Sequence, residues 1–395
     1  MTAELETTVH GRVAPGFEGV RDVFVANFAE RGDLGAAVSV YHHGEEVVGL
    51  WGGVAERSTG RPYGEDTLQL VFSTSKGVVA VCVGLLIERG QLDPDAPVAE
   101  YWPEFAAGGK AGIPVSSLLC HEAGLPVLEG HLDLDELLAW DPVVEMLAAQ
   151  TPLWEPGTAH GYHALTFGWL VGELIRRISG RTVGTFLADE VSGPLGLDLW
   201  IGLPEAQESR VAPLTMSFDS LATMDPEELA QLAARFAPDS LGFRAVFLDG
   251  SFGVFSEENS LLNSRELRAA EVPAANAVTT ADSLGRLYAA TIGEIDGVRL
   301  LAPSTVDALR TPRNLGPDLV LGGDTSFGLG MMCHNDYTPF LGPGSFGHYG
   351  AGGSVAFADP ASGTAFAYVM NKMQMDLNGD DRSLLLIHAV RDAIG

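Results

Sequence analysis

Cysteine is scarce in this chain, and the motifs of metal and nucleotide sites are missing from it. The three cysteines among 395 residues, Cys82, Cys120 and Cys333, are odd in number and far apart. Such a set is typical of a reducing compartment and does not form a disulfide framework. The sequence has no CxxC or HExxH spacing, no Walker loop and no GxGxxG fingerprint. It therefore predicts no metal and no cofactor.

Long apolar runs and excess positive charge are also lacking. The longest apolar run, Gly77 to Ile87, is shorter than the roughly 20 residues that a membrane-spanning helix needs. The first residues, MTAELETTVHGRVAPG, lack the basic patch and apolar stretch of a signal peptide. The formal net charge of −29 disfavours nucleic acid and anionic membranes as partners. We expect a cytoplasmic protein that binds a small molecule, and the sequence leaves its oligomeric state open.

The patterns that are present predict an α+β fold. A hydrophobic fraction of 46% in a chain of this length suggests two subdomains. Period-two strands lie near both ends: GAAVSVYHH and EEVVGLWGGVAER form a hairpin around Gly44, and SFGLGMMCH, GSVAFADP and GTAFAYVMN come late in the chain. Helical patterns cover residues 17–32, 72–90, 134–150, 165–180, 226–237, 279–293 and 381–395. We expect an antiparallel sheet flanked by helices, built from residues 1–75 and 275–395, with a mostly helical domain of residues 76–274 and a cleft between them.

Lysine is equally scarce, and one of the three lysines stands at the start of an apolar helix. The tetrapeptide Ser73-Thr74-Ser75-Lys76 is an S-x-x-K motif, whose first and last residues share a helix face. A serine hydroxyl needs a base to become a nucleophile. Burial and the positive end of a helix both favour the neutral amine of Lys76, whereas an arginine would stay charged. The helix start also offers the Ser73 N–H to an oxyanion.

Two later elements complete this candidate site. Tyr162 precedes a strongly amphipathic helix, and a phenol near a lysine ammonium can ionise and shuttle protons. His348 and Tyr349 lead into a glycine-rich strand start in which Gly350 permits close approach of a ligand. The Ala351 N–H can complete an oxyanion hole.

Taken in order, these elements resemble the serine β-lactamase and penicillin-binding-protein superfamily. More closely, the sequence resembles the family VIII carboxylesterases, which are built on the class C β-lactamase scaffold. The resemblance runs along almost the whole chain, through VFSTSKGVVA, LLCHEAGLP, YHALTFGWLVGELIRRISG, VPAANAVTTADSLGRLYAA and FGHYGAGGSVAFADPASGTAFAYVMN. It implies a serine β-lactamase/DD-peptidase-like fold, with the active site between the sheet domain and the helical domain.

The resemblance also assigns roles. It implies Ser73 as nucleophile, Lys76 as its base, Tyr162 as second acid/base, and the N–H groups of Ser73 and Ala351 as the oxyanion hole. His348 holds the place of the lysine that begins the K-T-G strand of β-lactamases, with Tyr349 and Gly350 as further substrate-binding candidates.

Departures from the β-lactamase pattern favour an ester as substrate. The Tyr-x-Asn of class C enzymes is Tyr162-His163-Ala164 here, so the amide that would bind a β-lactam side chain is missing. Replacement of Lys-Thr-Gly by His348-Tyr349-Gly350 removes a permanent positive charge for a substrate carboxylate. We therefore expect a serine carboxylesterase for small, short-chain esters. A β-lactamase, a D-amino-acid peptidase, an amide hydrolase, an acyltransferase and a non-catalytic binding scaffold stay open as alternatives.

Other routes to an esterase have less support. No G-x-S-x-G occurs, so the sequence does not predict an α/β-hydrolase. Neither order nor spacing singles out His121, His160 or His163 as the base of a Ser-His-Asp triad, and we expect these histidines to be structural.

Overall fold

A computed structural model describes residues 8–218, 221, 224–253, 256, 260–375 and 379–395. The strands are β1 Val9–Val13, β2 Gly35–His42, β3 Glu45–Glu56, β4 Arg61–Pro62, β5 Gln69–Leu70, β6 Leu199–Trp200, β7 Thr215–Met216, β8 Val278–Thr279, β9 Gly316–Pro317, β10 Asp324–Thr325, β11 Met332–Cys333, β12 Phe346–Tyr349, β13 Val355–Asp359, β14 Thr364–Met370 and β15 Lys372–Met373. The α-helices are α1 Glu18–Glu30, α2 Thr74–Glu88, α3 Val98–Tyr101, α4 Val115–Leu119, α5 Leu134–Leu138, α6 Asp141–Ala149, α7 Thr166–Ser179, α8 Val183–Leu187, α9 Gly193–Leu195, α10 Pro226–Arg235, α11 Leu241–Phe247, α12 Arg265–Ala269, α13 Ala281–Ile292, α14 Pro303–Arg310 and α15 Asp381–Ile394.

One eight-stranded antiparallel sheet joins the two ends of the chain. Its strand order is β1-β3-β2-β14-β13-β12-β11, and β4 also pairs with β3. The central pairing sets β14 against β2 over seven residues, from Thr364 opposite His42 to Met370 opposite Ala36. The sheet is therefore built from N-terminal and C-terminal strands, and the predicted α+β class is confirmed.

Most of the predicted elements form where the sequence patterns place them. The β2–β3 hairpin turns at His43 and Gly44, whose φ values of 50° and 85° fit a tight turn between twisted strands. Helix α10 begins at Pro226, which has no N–H to leave unsatisfied in the first turn. Helix α13 is capped by Thr280, whose side chain accepts from the Ser283 N–H.

Two predicted elements are wrong in detail. The pattern over residues 134–150 forms two helices, because Trp140 adopts a φ of 71° between them. Pro142 lies in the first turn of α6, where a proline is tolerated, but it would disrupt the interior of one continuous helix. The stretch SFGLGMMCH is not one strand. Within it only Met332–Cys333 pairs as a strand, and the chain reverses at Gly330 (φ 82°), so that Phe327 bridges Met332.

Helix α2 is the element that positions the site. Every residue from Thr74 to Leu86 is buried, which accounts for its lack of a polar face. The helix contacts β12 of the sheet on one side and α7 on another. Helix α13 covers β2, β13 and β14, and α1 packs against α15.

The division into residues 1–75 with 275–395 and residues 76–274 stays a prediction. Residues 1–7, 219–220, 222–223, 254–255, 257–259 and 376–378 lie outside the described part. Among the described residues, no helix combines the length and the apolar character needed to cross a lipid bilayer.

Candidate active site

Ser73 lies at the start of α2, directly after a residue with an unusual backbone conformation. Phe72 has a φ of 46°, a left-handed value that is costly for a bulky residue. The chain turns sharply there and leaves Ser73 partly exposed between buried neighbours. One turn further on, the Lys76 Nζ lies 3.0 Å from the Ser73 Oγ. The S-x-x-K spacing therefore does bring the hydroxyl and the amine together.

Lys76 has two further contacts, and both are with backbone carbonyls. Its Nζ lies 2.7 Å from the Ala164 oxygen and 3.0 Å from the Ala274 oxygen, and the side chain is fully buried. Burial lowers the pKa of Lys76 well below its usual value. A neutral amine has two N–H donors and one lone pair. In that neutral form the two carbonyls accept the two N–H groups, and the lone pair faces the Ser73 hydroxyl.

Tyr162 is a second neighbour of the Ser73 side chain. Its phenol is hydrogen-bonded to the Ser73 side chain, which lowers the pKa of the phenol, but burial outweighs this and raises the pKa above its usual value. The Lys76 Nζ lies 4.7 Å from the centre of the Tyr162 ring. The sequence suggested a phenol that ionises beside an ammonium. The structure instead disfavours the charged form of both groups, because both are buried.

The segment after β12 contributes a buried histidine and a backbone N–H. His348 is fully buried, and its Nδ1 lies 2.6 Å from the Tyr349 carbonyl oxygen, which makes Nδ1 the protonated nitrogen. Its Nε2 is buried without a hydrogen-bond partner among the described residues. Burial lowers the pKa of His348 to about 3, so the ring is neutral. By the resemblance, this ring takes the position of the lysine in β-lactamases, and that correspondence stays a prediction.

Tyr349 and Gly350 are placed mainly by protein contacts. The Tyr349 hydroxyl donates to the Pro339 carbonyl, and its ring stacks on Phe340 with centroids 5.1 Å apart. A Cβ at Gly350 would collide with the Val71 carbonyl, so the close approach that this glycine allows is to the segment before α2. The sequence had suggested a ligand at this position instead.

An apolar cavity brings the candidate residues together. It has a volume of about 220 Å³, and its wall includes Ser73, Tyr162, His348 and Ala351. The other lining residues are largely apolar and include Phe72, Leu165, Val246, Phe252, Leu262 and Met332. Within the described part of the chain, neither the Ser73 N–H nor the Ala351 N–H donates to a protein acceptor. Both donors are thus available to a ligand.

Sequence reasoning missed the group that fixes Tyr162. The Asp318 Oδ1 accepts from the backbone N–H of Tyr162 at 3.0 Å, and also from the N–H groups of Val320 and Leu321. The other oxygen, Oδ2, accepts from the Thr325 hydroxyl. Asp318 is buried and joins the segment after α14 to the residues before α7. Nothing in the sequence distinguishes it from the other acidic residues.

The three histidines considered for a Ser-His-Asp triad form hydrogen bonds with backbone and side-chain groups of the protein. The His163 Nε2 accepts from the Leu125 N–H, and the His121 Nδ1 accepts from the His163 N–H. The His160 Nε2 lies 2.9 Å from the Thr325 hydroxyl. None of them contacts Ser73 in the described hydrogen bonds. Over the same residues, no group of three or more His, Cys, Asp or Glu side chains is arranged to hold a metal ion.

Comparison with known proteins places the chain in one family. Residues 20–389 match the Beta-lactamase family. The chain is 39% identical to the "Esterase/beta-lactamase LipL" of Mycobacterium tuberculosis (strain ATCC 25618 / H37Rv), over 98% of this chain and 88% of that protein.

Solved structures agree with this placement. A penicillin-binding protein homolog from Caulobacter crescentus is similar with a TM-score of 0.86 and 40% identity, over 98% of this chain and 100% of that one. A family VIII carboxylesterase is similar with a TM-score of 0.88 and 34% identity, again over 98% and 100%. The fold and the resemblance predicted from the sequence are therefore confirmed. The chain belongs to the beta-lactamase family and is a serine hydrolase of that family.

Proposed function

We propose that the protein is a carboxylesterase that hydrolyses small, short-chain neutral esters through an acyl-enzyme on Ser73. The observation that carries this proposal is the buried Lys76 amine, held by two carbonyls and 3.0 Å from the Ser73 Oγ. This arrangement supplies the serine with a base without a histidine. The names of the similar proteins, an esterase/beta-lactamase and a family VIII carboxylesterase, support an ester as the substrate.

In the proposed acylation step, the Ser73 Oγ attacks the ester carbonyl carbon as its proton passes to the Lys76 Nζ. The carbonyl oxygen becomes an oxyanion, which accepts from the N–H groups of Ser73 and Ala351. When the tetrahedral species collapses, the bond to the alcohol oxygen breaks and Tyr162 gives its proton to that oxygen. The Lys76 ammonium then returns the proton to the phenolate, and both groups are neutral again.

Deacylation uses the same groups in the reverse sense. Water attacks the acyl carbon and gives a proton to the Tyr162–Lys76 pair, and the serine oxygen recovers that proton as the acid leaves. The hydrogen bonds of the Ser73 side chain with Lys76 and with Tyr162 support these proton transfers. No step requires either group to hold a charge in the resting enzyme, in keeping with the burial of both.

The cavity favours neutral substrates. None of its described lining residues is a lysine or an arginine, and His348 is neutral. A substrate carboxylate would therefore be desolvated there without a partner, which is costly. This argues for simple esters over penicillins and over peptides with a free carboxylate.

The nucleophile can be tested by comparing two neighbouring serines. Ser73→Ala should abolish turnover of p-nitrophenyl butyrate and labelling by a fluorophosphonate, with an unchanged fold by circular dichroism. Ser75→Ala is the matched control, since the Ser75 hydroxyl donates to Phe72 and accepts from the Ala277 N–H, and so has a structural place. This variant should unfold at lower temperature but still be labelled. Retention of wild-type turnover in Ser73→Ala would overturn the proposal, and absence of labelling in the wild type would favour a binding scaffold.

β-Lactam hydrolysis is the second candidate, because the similar protein from M. tuberculosis is named as both esterase and beta-lactamase. A chromogenic cephalosporin assayed beside the butyrate ester decides between them. We expect kcat/KM to be much higher for the ester, and the opposite order would make β-lactamase the principal activity. Addition of an alcohol acceptor to the same assay would reveal an acyltransferase by a second ester product.

A further inference from the structure

A second, larger cavity lies next to the catalytic one. This outer cavity has a volume of about 660 Å³, against about 220 Å³ for the catalytic cavity. Small-molecule sites commonly measure roughly 300–1,000 Å³. The catalytic cavity is thus small for anything beyond a short ester, whereas the outer cavity has room for a longer group.

The two cavities share one wall. Among their described lining residues, Phe247 alone lines both. The backbone nearby follows the same division, because Ala351 lines the catalytic cavity and Gly352 lines the outer one. The outer cavity therefore lies next to the proposed oxyanion site as well as next to the aromatic ring.

The Phe247 ring packs against aromatic residues of the outer cavity. It is the last residue of α11, is half-buried, and its ring lies 5.3 Å from the Phe243 ring and 6.1 Å from the Phe236 ring. Both of those partners line the outer cavity. The ring therefore closes one end of an aromatic cluster and separates it from the catalytic space.

The outer cavity is largely apolar and adaptable, although Glu228 and Arg235 also line it. Its lining includes Met216, Met224, Leu229, Leu232, Phe236 and Met375. Methionine side chains fit ligands of varied shape. Helix α10, which supplies Leu229 and Leu232, has no buried residue, so its apolar side chains are not used by the protein core. Such a surface is suited to a flexible hydrocarbon chain.

We propose that the outer cavity binds the distal hydrocarbon chain of longer neutral esters, and that the Phe247 ring is the partition that sets the chain length accepted. This inference rests on the proposed ester hydrolysis at Ser73. A short ester fits within the catalytic cavity, whereas a long one needs the ring to turn aside. Phe247 is in this sense a specificity-determining residue and takes no part in the proton transfers.

The test compares chain-length profiles. For p-nitrophenyl acetate, butyrate, octanoate and decanoate, Phe247→Ala should raise the decanoate/butyrate ratio of kcat/KM by at least tenfold. Phe28→Ala is the matched control, because Phe28 is also a half-buried phenylalanine but lines neither cavity, and it should leave the ratio unchanged. Alkyl butyrates of increasing alcohol length, followed by acid release, show whether the chain entering the outer cavity is the acyl or the alcohol group.

A blocking variant shows where the chain goes. Leu232→Trp on the exposed helix α10 should fill the outer cavity, so the double variant with Phe247→Ala should lose the gain on decanoate while still hydrolysing butyrate. If Phe247→Ala does not fold, Leu232→Trp alone should lower the wild-type decanoate rate. A persistent gain in the double variant, an equal rise on all esters, or no change in profile would overturn this inference. If the wild-type protein does not hydrolyse p-nitrophenyl butyrate, the proposed function itself is refuted.

Discussion

Two of the three lysines in this chain are fully buried, and their surroundings distinguish their roles. The Lys110 Nζ donates to three backbone carbonyls, those of Ala107, Ala148 and Gln150. Only an ammonium has three N–H donors, so the charged form satisfies all three acceptors. Lys76 has two carbonyls and a hydroxyl, a set that the neutral amine satisfies as both donor and acceptor. Burial of a lysine is therefore weak evidence that it acts as a base. The third hydrogen-bond partner, a carbonyl or a hydroxyl, distinguishes the two roles.

At this scale the pH dependence of activity can be predicted. In the proposed mechanism the neutral amine is the active form, so kcat/KM should rise with pH through the pKa of Lys76, which lies well below its usual value. Lys76→Arg stays charged and should lower kcat on the order of 10²–10⁴-fold, the usual range for a general base. The rise of kcat/KM with pH, the rising limb of the profile, should be absent in this variant.

The comparison variant is Lys110→Met, measured over the same pH range. It should lower the melting temperature because three carbonyls lose their donor, but the rising limb should stay in place. A limb that survives in Lys76→Arg would show that another group is the base.

Part of the candidate site could not be predicted from the sequence, because it is formed by groups from distant segments of the chain. Ser73, Lys76 and Tyr162 carry side chains suited to proton transfer, and their spacing made them visible. The carbonyls of Ala164 and Ala274 could not be predicted, because every residue has a carbonyl and no side-chain signal marks these two. Asp318 was hidden among 52 acidic residues.

Among elements, the contact between α7 and the segment before β8 determines how Lys76 is held. Ala164 lies just before α7, and Ala274 lies in the segment that passes beside it. Gly168 in α7 allows this approach, since a Cβ there would lie 2.5 Å from the Ala274 nitrogen and 3.1 Å from its Cβ. The glycine lets two backbones come close enough for both carbonyls to reach one amine.

Gly168→Ala should therefore reduce both stability and activity. Backbone atoms must move, which typically costs about 1–3 kcal/mol, and the shift of Ala274 should lower kcat at least tenfold. Denaturant unfolding and butyrate hydrolysis measure the two effects. Gly19→Ala in α1 is the control, because nothing lies within 4 Å of a Cβ at that site. Equal behaviour of the two variants would refute the importance of the α7 contact.

Elements with strong local signals were predictable, and those shaped by reversal of the chain were not. The composition of α2 and the amphipathic pattern of α7 are local properties. The stretch around Gly330 reads as a strand by hydrophobic content, but a φ of 82° turns the chain back on itself. That conformation is available to glycine and is not visible in the alternation of residues.

For the whole molecule, a buried charge cluster joins the sheet, the last helix and the loop of the proposed oxyanion site. Arg382 is fully buried and pairs with Asp33 and Asp380. It also donates at 2.8 Å to the carbonyls of Lys372 and Gly352. Because Gly352 follows Ala351, the cluster supports the backbone that presents one of the two oxyanion donors.

Arg382→Met should be strongly destabilising. It leaves two buried carboxylates without their partner, a change that typically costs about 3–5 kcal/mol. Arg313→Met removes the exposed partner of Asp95 and should change the free energy of unfolding by at most about 1 kcal/mol. Urea titration of both variants gives the difference. Similar midpoints would show that the cluster adds little to stability.

The burial of two of the three lysines also determines where the protein can be coupled through its amines. With Lys76 and Lys110 enclosed, Lys372 is the partly exposed side-chain amine within the described part of the chain. Amine-reactive dyes or activated beads should therefore couple to the Lys372 side chain and leave the buried amines of Lys76 and Lys110 unmodified. Molecules tethered through that side chain would share one orientation on a support and keep their turnover.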